Sequence, residues 1–297
     1  MKKLLYIFNG RAGHGANVLR KYLLDIVTMF NDKGYAVTVI TTKHPNHAAE
    51  LVEEYAGYFD LILCSGGDGT VNEIVNGMTK LPEDLRKPIA YIPTGTTNDY
   101  GTSLGLPKEI SSCIQQIAAE KPFSVDVGKL NDKAFVYVAA IGTPVKVTYT
   151  TSQEDKNVWG YMAYVAELLK LLPATRPYHL KIESGDRVIE GDYLFAFVTN
   201  SYSVSGFKGV TGRDVSLNDG LFEVTLVKAV KNLAELVIPM GTLSQEVPDK
   251  RYIERFKTDH LIIECSEEAE WNADGEFGGK YKKTEISVMH NAVSFMV

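Results

Sequence analysis

Through its first 120 residues the chain repeats one pattern, a short run of consecutive apolar residues followed by a longer segment with helical spacing. The apolar runs at 3–8, 35–40, 61–64 and 89–92 predict strands. Segments 17–30, 46–55, 71–78 and 109–119 predict helices, with a short extra helix ahead of Leu106-Pro107. Asn31-Asp32-Lys33-Gly34 stops the first of them. Apolar strands alternating with helices predict a mostly parallel sheet covered on both faces. Ligands of such sheets bind beyond the carboxyl ends of the strands, at a switch point. The loops at Asn9, Gly66 and Thr94 all follow strands at that end.

From about Phe123 the pattern changes. Runs at 123–130, 134–141, 178–183, 187–190, 193–200, 222–228, 251–256, 260–265, 285–290 and 293–297 read as strands at hairpin-like spacing. They predict an antiparallel β-sandwich or barrel. One helix, 158–172, interrupts them and is apolar around most of its circumference, with only Glu167 and Lys170 charged. It is either a core or subunit-contact helix, or a wall for a lipid chain or a membrane-dipping face. The predicted class is α/β, with a parallel-sheet domain at 1–125 and a β-rich domain at 126–290. The last strand, 291–297, is a candidate to return to the first domain.

Composition narrows the class. The chain has 297 residues, 45% of them hydrophobic and 23% charged, as in a soluble globular protein. A formal net charge of −6 argues against a nucleic-acid binder. No apolar run approaches the roughly 18 residues needed to cross a bilayer. The opening, 1–9, is too short for a signal-peptide core and runs into Gly10-Arg11-Ala12-Gly13 without a cleavage-type ending. Cys64, Cys113 and Cys265 have no metal-ligand spacing and read as core or half-buried thiols of a reducing cytoplasm.

Gly66-Gly67-Asp68-Gly69-Thr70 carries the strongest chemical signal. It joins a predicted strand to a predicted helix, where backbone N–H groups and the helix dipole hold a phosphate. Asp68 sets a carboxylate beside that anion, which calls for a divalent metal or a handled proton. The plainer reading is a tight turn without a ligand. Asn9-Gly10-Arg11-Ala12-Gly13-His14-Gly15 is a second glycine-rich turn, without the ending of a P-loop. Thr94-Gly95-Thr96-Thr97-Asn98-Asp99 suits nucleotide contact, or an N-cap by Thr97 or Asn98.

Three further stretches stay open between structure and chemistry. Asp126, among apolar neighbours, is either hydrogen-bonded structurally or part of a metal–water network. Ser216-Leu217-Asn218-Asp219-Gly220-Leu221 reads as a hairpin turn, with a metal on Asp219 and nearby carbonyls as the alternative. Trp271-Asn272-Ala273-Asp274-Gly275-Glu276 is a hairpin turn with solvated acids, or a loop whose Asp274 or Glu276 deprotonates an acceptor hydroxyl.

In order and spacing these stretches resemble the diacylglycerol kinase catalytic family, which includes sphingosine, ceramide and related bacterial lipid kinases. The resemblance rests on Gly66 to Glu73, Pro93 to Asp99, Val125-Asp126-Val127-Gly128, Asn218-Asp219-Gly220 and Asp274-Gly275-Glu276. It is most similar to the soluble diacylglycerol kinases of Gram-positive bacteria. It implies a nucleotide-binding α/β domain joined to a β-sandwich, and transfer of the ATP γ-phosphoryl group to a lipid hydroxyl. By that resemblance Asn9, Gly10, Arg11, Ala12, Gly13, Thr42, Gly66, Gly67, Asp68, Gly69, Thr70, Val71, Asn72 and Thr96 hold ATP. Asp68, Asp99 and Asp126 organise catalytic Mg²⁺ and water, and Glu276 accepts the proton. Ser216 and Leu221, through carbonyls, and Asp219 hold a structural Mg²⁺.

The acceptor implied is 1,2-diacylglycerol, met by a cytoplasmic protein touching the inner membrane face. Phosphatidylglycerol, ceramide-like and polyprenol acceptors also suit the family. A homodimer is implied by resemblance alone. Family members usually carry Asn-Pro where this chain has Asn9-Gly10. An NAD kinase shares the Gly-Gly-Asp-Gly turn, but Val71-Asn72-Glu73 and the late Asp-Gly-Glu fit lipid kinases better. A nucleotide sensor without turnover is the non-enzymatic alternative.

Overall fold

Residues 1–9, 15–119, 121–142, 177–204, 207–208, 211, 214–231, 233–243, 245 and 248–297 are described by a computed structural model. The chain divides into two units, Met1–Val127 with His290–Val297, and Gly128–Met289. The first alternates β1 (Lys2–Phe8), α1 (Gly15–Asp32), β2 (Tyr35–Thr41), α2 (His47–Tyr55), β3 (Leu61–Gly66), α3 (Asp68–Lys80), β4 (Ile89–Pro93), α4 (Asp99–Ser103) and α5 (Ile110–Ala119).

Its sheet order is β2-β1-β3-β4, all parallel, and the chain's last strand lies beside β4 through Phe295 and Ile89. Leu4 to Phe8 and Leu61 to Gly66 are buried without interruption, because helices cover both faces. The edge strand β2 is partly exposed along its length. Helices α2 and α3 pack together, and so do α1 and α5. Gly77 makes the first of these contacts close, since a Cβ there would sit 2.6 Å from the Ala49 carbonyl oxygen. The connection β1-α1-β2 goes to one side of β1 while β3 lies on the other, so the switch point falls between β1 and β3.

The second unit is antiparallel. It follows β5 (Pro122–Leu130), along which the chain leaves the first unit, with β6 (Lys133–Phe135), β7 (Val138–Ile141), β8 (Tyr178–Ser184) and β9 (Arg187–Thr199). A two-residue pair, β10 (Ser203–Val204) and β11 (Phe207–Lys208), precedes β12 (Phe222–Lys228). Then come α6 (Leu233–Thr242), β13 (Ile253–Thr258), β14 (His260–Ala273) and β15 (Glu276–Met296). The order is β13-β12-β9-β7-β14-β15, and β8 also lies between β9 and β14. On β9, β7 pairs with residues 196–199 and β8 with 187–193, so the two occupy one lane end to end. Gly142 stands where the chain leaves that lane, with φ +78 and the Leu194 carbonyl oxygen in the place of a Cβ.

Alternate residues of these strands build one core: Leu180 and Ile182, Ala196 and Val198, Phe222, Val224 and Leu226, Leu261 and Ile263, with Trp271 and Phe135. Three predicted boundaries differ. The strand expected at 134–141 is split into β6 and β7, because the Asp274 carboxylate takes the backbone N–H groups between them. The strands expected at 187–190 and 193–200 are one, as are those at 285–290 and 293–297. Helix α6 was not expected, since Pro239 inside it reads as a breaker. The apolar helix expected at 158–172 lies outside the described residues.

Candidate active site

Parallel register lines up the strand ends of the first unit. Phe8 stands opposite both Thr41 and Ser65, and Gly66 opposite Pro93. Backbone bonds carry the row one step beyond the strands: Thr42 N–H donates to Phe8 O, Asn9 N–H to Ser65 O and Thr94 N–H to Gly66 O. Thr42, Asn9, Gly66 and Thr94 therefore share one edge. Across the switch point Asn9 Nδ2 donates to Thr70 Oγ1 at 3.3 Å.

The two glycine loops meet backbone to backbone. A Cβ on Gly95 would lie 2.5 Å from Gly67 Cα, and one on Gly66 would collide with the Thr70 side chain. Only glycine permits that approach. Helix α3 begins at Asp68, earlier than the apolar spacing predicts, so its positive end lies within the motif itself. Thr70 and Val71 N–H close the first turn on the Gly67 carbonyl. The Val71 side chain is fully buried in the core, so neither group of this predicted nucleotide contact points to a ligand.

Asp68 has a use that the sequence did not disclose. Its carboxylate accepts the backbone N–H groups of Asp99 (3.1 Å) and Tyr100 (3.2 Å), capping α4 from another helix. Asn98, at the cap position, has φ 53 and instead exchanges hydrogen bonds of 2.9 Å with the Gly95 backbone. Asp99 is buried at 2% exposure. The buried Tyr91 hydroxyl donates to Gly66 O at 3.3 Å. Burial pushes that phenol well above its ordinary range, and the Asp68 and Asp99 charges add to the effect. Beside them the buried Thr94 Oγ1 has no hydrogen-bond partner among the described residues. Two carboxylates and an unpartnered hydroxyl are hard oxygen donors, the set that suits Mg²⁺.

The other predicted residues of this unit are spread more widely. Thr96 is exposed in the loop after β4, and Asn72 lies on α3, where Asn76 Nδ2 donates to its carbonyl. Asp126 is fully buried and accepts from His290 Nδ1 (2.8 Å) and Asn291 N–H (2.7 Å), so hydrogen bonds account for its burial. Gly10, Arg11, Ala12 and Gly13 lie outside the described residues. Glu73 was not singled out by sequence. Its carboxylate accepts Asn46 N–H (2.8 Å) and Ala48 N–H (3.0 Å), fixing the start of α2 against α3.

In the second unit the Asp274-Gly275 pair is a two-residue hairpin turn between β14 and β15, with φ 52 and 88, as a type I′ turn requires. Its acids are not the solvated pair of the plain-turn reading, since only one of the two is exposed. Asp274 is buried and accepts N–H groups from Val136 (2.5 Å), Tyr137 (3.0 Å) and Val138 (2.9 Å). That makes it a structural residue of the hairpin. Glu276, opposite Ala273, is exposed.

The Asp219 loop leads into β12, and no strand directly precedes it among the described residues, so it is not the hairpin turn expected. Asp219 Oδ1 accepts Leu221 N–H at 3.1 Å, and Oδ2 pairs with Lys257 Nζ at 3.1 Å. Ser216 Oγ bonds to Asn218 at 3.3 Å. Both oxygens of Asp219 are thus engaged, and a metal there would replace Lys257. Lys257 also reaches Glu223 (3.4 Å) and Asp214 (3.7 Å). Burial raises the Glu223 carboxyl to about 7.

The chain is similar to known proteins along most of its length. The family profile described as the diacylglycerol kinase catalytic domain matches residues 3–130. A diacylglycerol kinase of Bacillus subtilis (strain 168) is 33% identical over 283 residues, covering 94% of this chain and 91% of that protein. One of Staphylococcus haemolyticus is 31% identical, covering 90% and 80%. A Bacillus anthracis crystal structure, provisionally described as a diacylglycerol kinase, superposes with a TM-score of 0.83 at 26% identity, covering 99% and 96%. No described helix is long and apolar enough to cross a membrane. By sequence along nearly its whole length, and by fold, the chain belongs to the diacylglycerol kinase catalytic family and is a kinase.

Proposed function

We propose that this protein transfers the γ-phosphoryl group of ATP to the hydroxyl of a lipid, most closely 1,2-diacylglycerol, giving phosphatidic acid. The observation that carries the reading is the closure of Gly67 on Gly95 at the edge where α3 begins. That junction offers glycine N–H groups and a helix dipole to a phosphate, with oxygen donors beside it.

In this reading Gly66, Gly67 and Gly69 shape the phosphate cradle, while Asn9, Thr42, Thr70, Asn72, Thr96 and the 10–13 loop complete the nucleotide site. Asp68, Asp99 and Asp126 hold Mg²⁺ directly or through water. Bound there, Mg²⁺ supplies charge neutralisation for the phosphate oxygens. The side chains then act mainly by position: Asp68 keeps the second glycine loop docked on the first through α4. Glu276 takes the proton of the acceptor hydroxyl as the new P–O bond forms. Asp274, committed to three N–H groups, leaves that task to its neighbour. The lipid is met at the inner membrane face by peripheral contact, by a monomer or a homodimer.

The test is a lipid-panel assay with labelled ATP, run on the parent and on Glu276→Gln. The variant should bind ATP normally and lose about two orders of magnitude in turnover or more. Equal turnover removes Glu276 from the chemistry. Labelling of NAD in place of every lipid overturns the lipid reading.

A further inference from the structure

The loop after β2 and the first turn of α2 hold donor side chains for which phosphoryl transfer has no use. His44, His47 and Glu50 each bring one ligand atom, and these atoms lie within 4.8 Å of one another. The two ring centroids are 4.6 Å apart, and His44 Nε2 is 3.7 Å from Glu50 Oε2. His47 and Glu50, three residues apart on α2, share a helix face.

The hydrogen bonds around the rings orient them. His44 Nδ1 lies 3.0 Å from the Pro45 carbonyl, which only accepts, so Nδ1 is the donor there and the lone pair of the neutral ring falls on Nε2. Histidines that bind metal characteristically hold their second nitrogen in this way. The segment is braced from behind by the Glu73 carboxylate on Asn46 and Ala48 N–H. His47 Nδ1 accepts Lys43 N–H at 3.0 Å. Binding a metal either takes that lone pair or shifts the ring proton to Nδ1 and uses Nε2. In both cases one exposed hydrogen bond is lost.

We propose that His44, His47 and Glu50 bind one transition-metal ion of the Zn²⁺, Co²⁺ or Ni²⁺ class. Two imidazoles and a carboxylate are ligands these ions favour, and they discriminate against Mg²⁺, which prefers oxygen donors. The site is separate from the acids assigned to Mg²⁺ and does not depend on the kinase reading.

Tag-free full-length protein in excess Mg²⁺ is titrated with Co²⁺, followed by visible absorption, and with Zn²⁺ by calorimetry. The parent should bind a single equivalent at this site. His44→Ala and His47→Ala should each weaken it by about tenfold or more, with a smaller loss in Glu50→Gln. The His44 and Glu50 side chains are each 52% exposed, so circular dichroism should stay unchanged, and His44→Asn provides a second variant. No binding by the parent, or equal binding by His44→Ala/His47→Ala, overturns the proposal. Kinase activity is assayed separately, so either reading fails on its own.

Discussion

Replacing Glu223 by glutamine should stabilise the protein progressively as pH rises from about 5 to about 8, relative to the parent. Glu223 is only 6% exposed, and its ionic partner is Lys257 at 3.4 Å, which also serves Asp219 at 3.1 Å. Burial raises the carboxyl from the usual 4.5 to about 7, against the pull of Lys257 and with a further push from Asp219. The folded state therefore holds a proton that the unfolded chain has released. Stability from this group is complete below the unfolded value of 4.5, falls as pH climbs, and is lost above about 7. At about 1.4 kcal/mol per pH unit, the interval between 4.5 and about 7 amounts to roughly 3 kcal/mol. Glutamine keeps the shape and cannot titrate, while Lys257 retains Asp219. Urea unfolding across this pH range, read from the buried Trp271 in a Trp159→Phe background, isolates the second unit. The difference between variant and parent should grow by about 2–3 kcal/mol and then level off. A difference that does not vary with pH would refute the reasoning.

Asp274→Ala strands three backbone N–H groups and should cost at least about 3 kcal/mol in urea unfolding, whereas Glu276→Gln should change stability by less than about 0.5 kcal/mol. Equal stability of the two would contradict the division of roles. Gly95→Ala forces the two glycine loops apart, since its Cβ meets Gly67 Cα at 2.5 Å. It should abolish nucleotide binding in a fluorescent-ATP assay, and unaltered affinity would detach this contact from function. Glu73→Ala uncaps α2 and should cost about 1–2 kcal/mol, with Glu73→Gln recovering part of it. Hydrogen exchange at Asn46 and Ala48 reads the effect directly, and unchanged protection there would show that the clamp is not formed in solution.

Much of this was legible along the chain. The strands of the first unit are covered on both faces, so Leu4 to Phe8 and Leu61 to Cys64 appear as unbroken apolar runs. Glycines that permit close approach are local features, which is why the Gly66 to Thr70 motif and the Asp274-Gly275 turn stood out. What acids do was not legible. Asp68 and Asp274 look alike in sequence, each beside glycine, yet one caps a helix 31 residues away and the other serves a backbone segment 136–138 residues away.

Sequence by itself determined where the strands and helices of the first unit lie and which loops its strand ends carry. Periodic burial and the backbone preferences of glycine act over a few residues. Tertiary structure alone decided that Asp274 is a buried brace while Glu276 stays exposed, that Glu73 holds α2, and that β7 and β8 share a lane. A carboxylate takes whichever N–H groups chain closure brings within about 3 Å, and nothing in its neighbours names them.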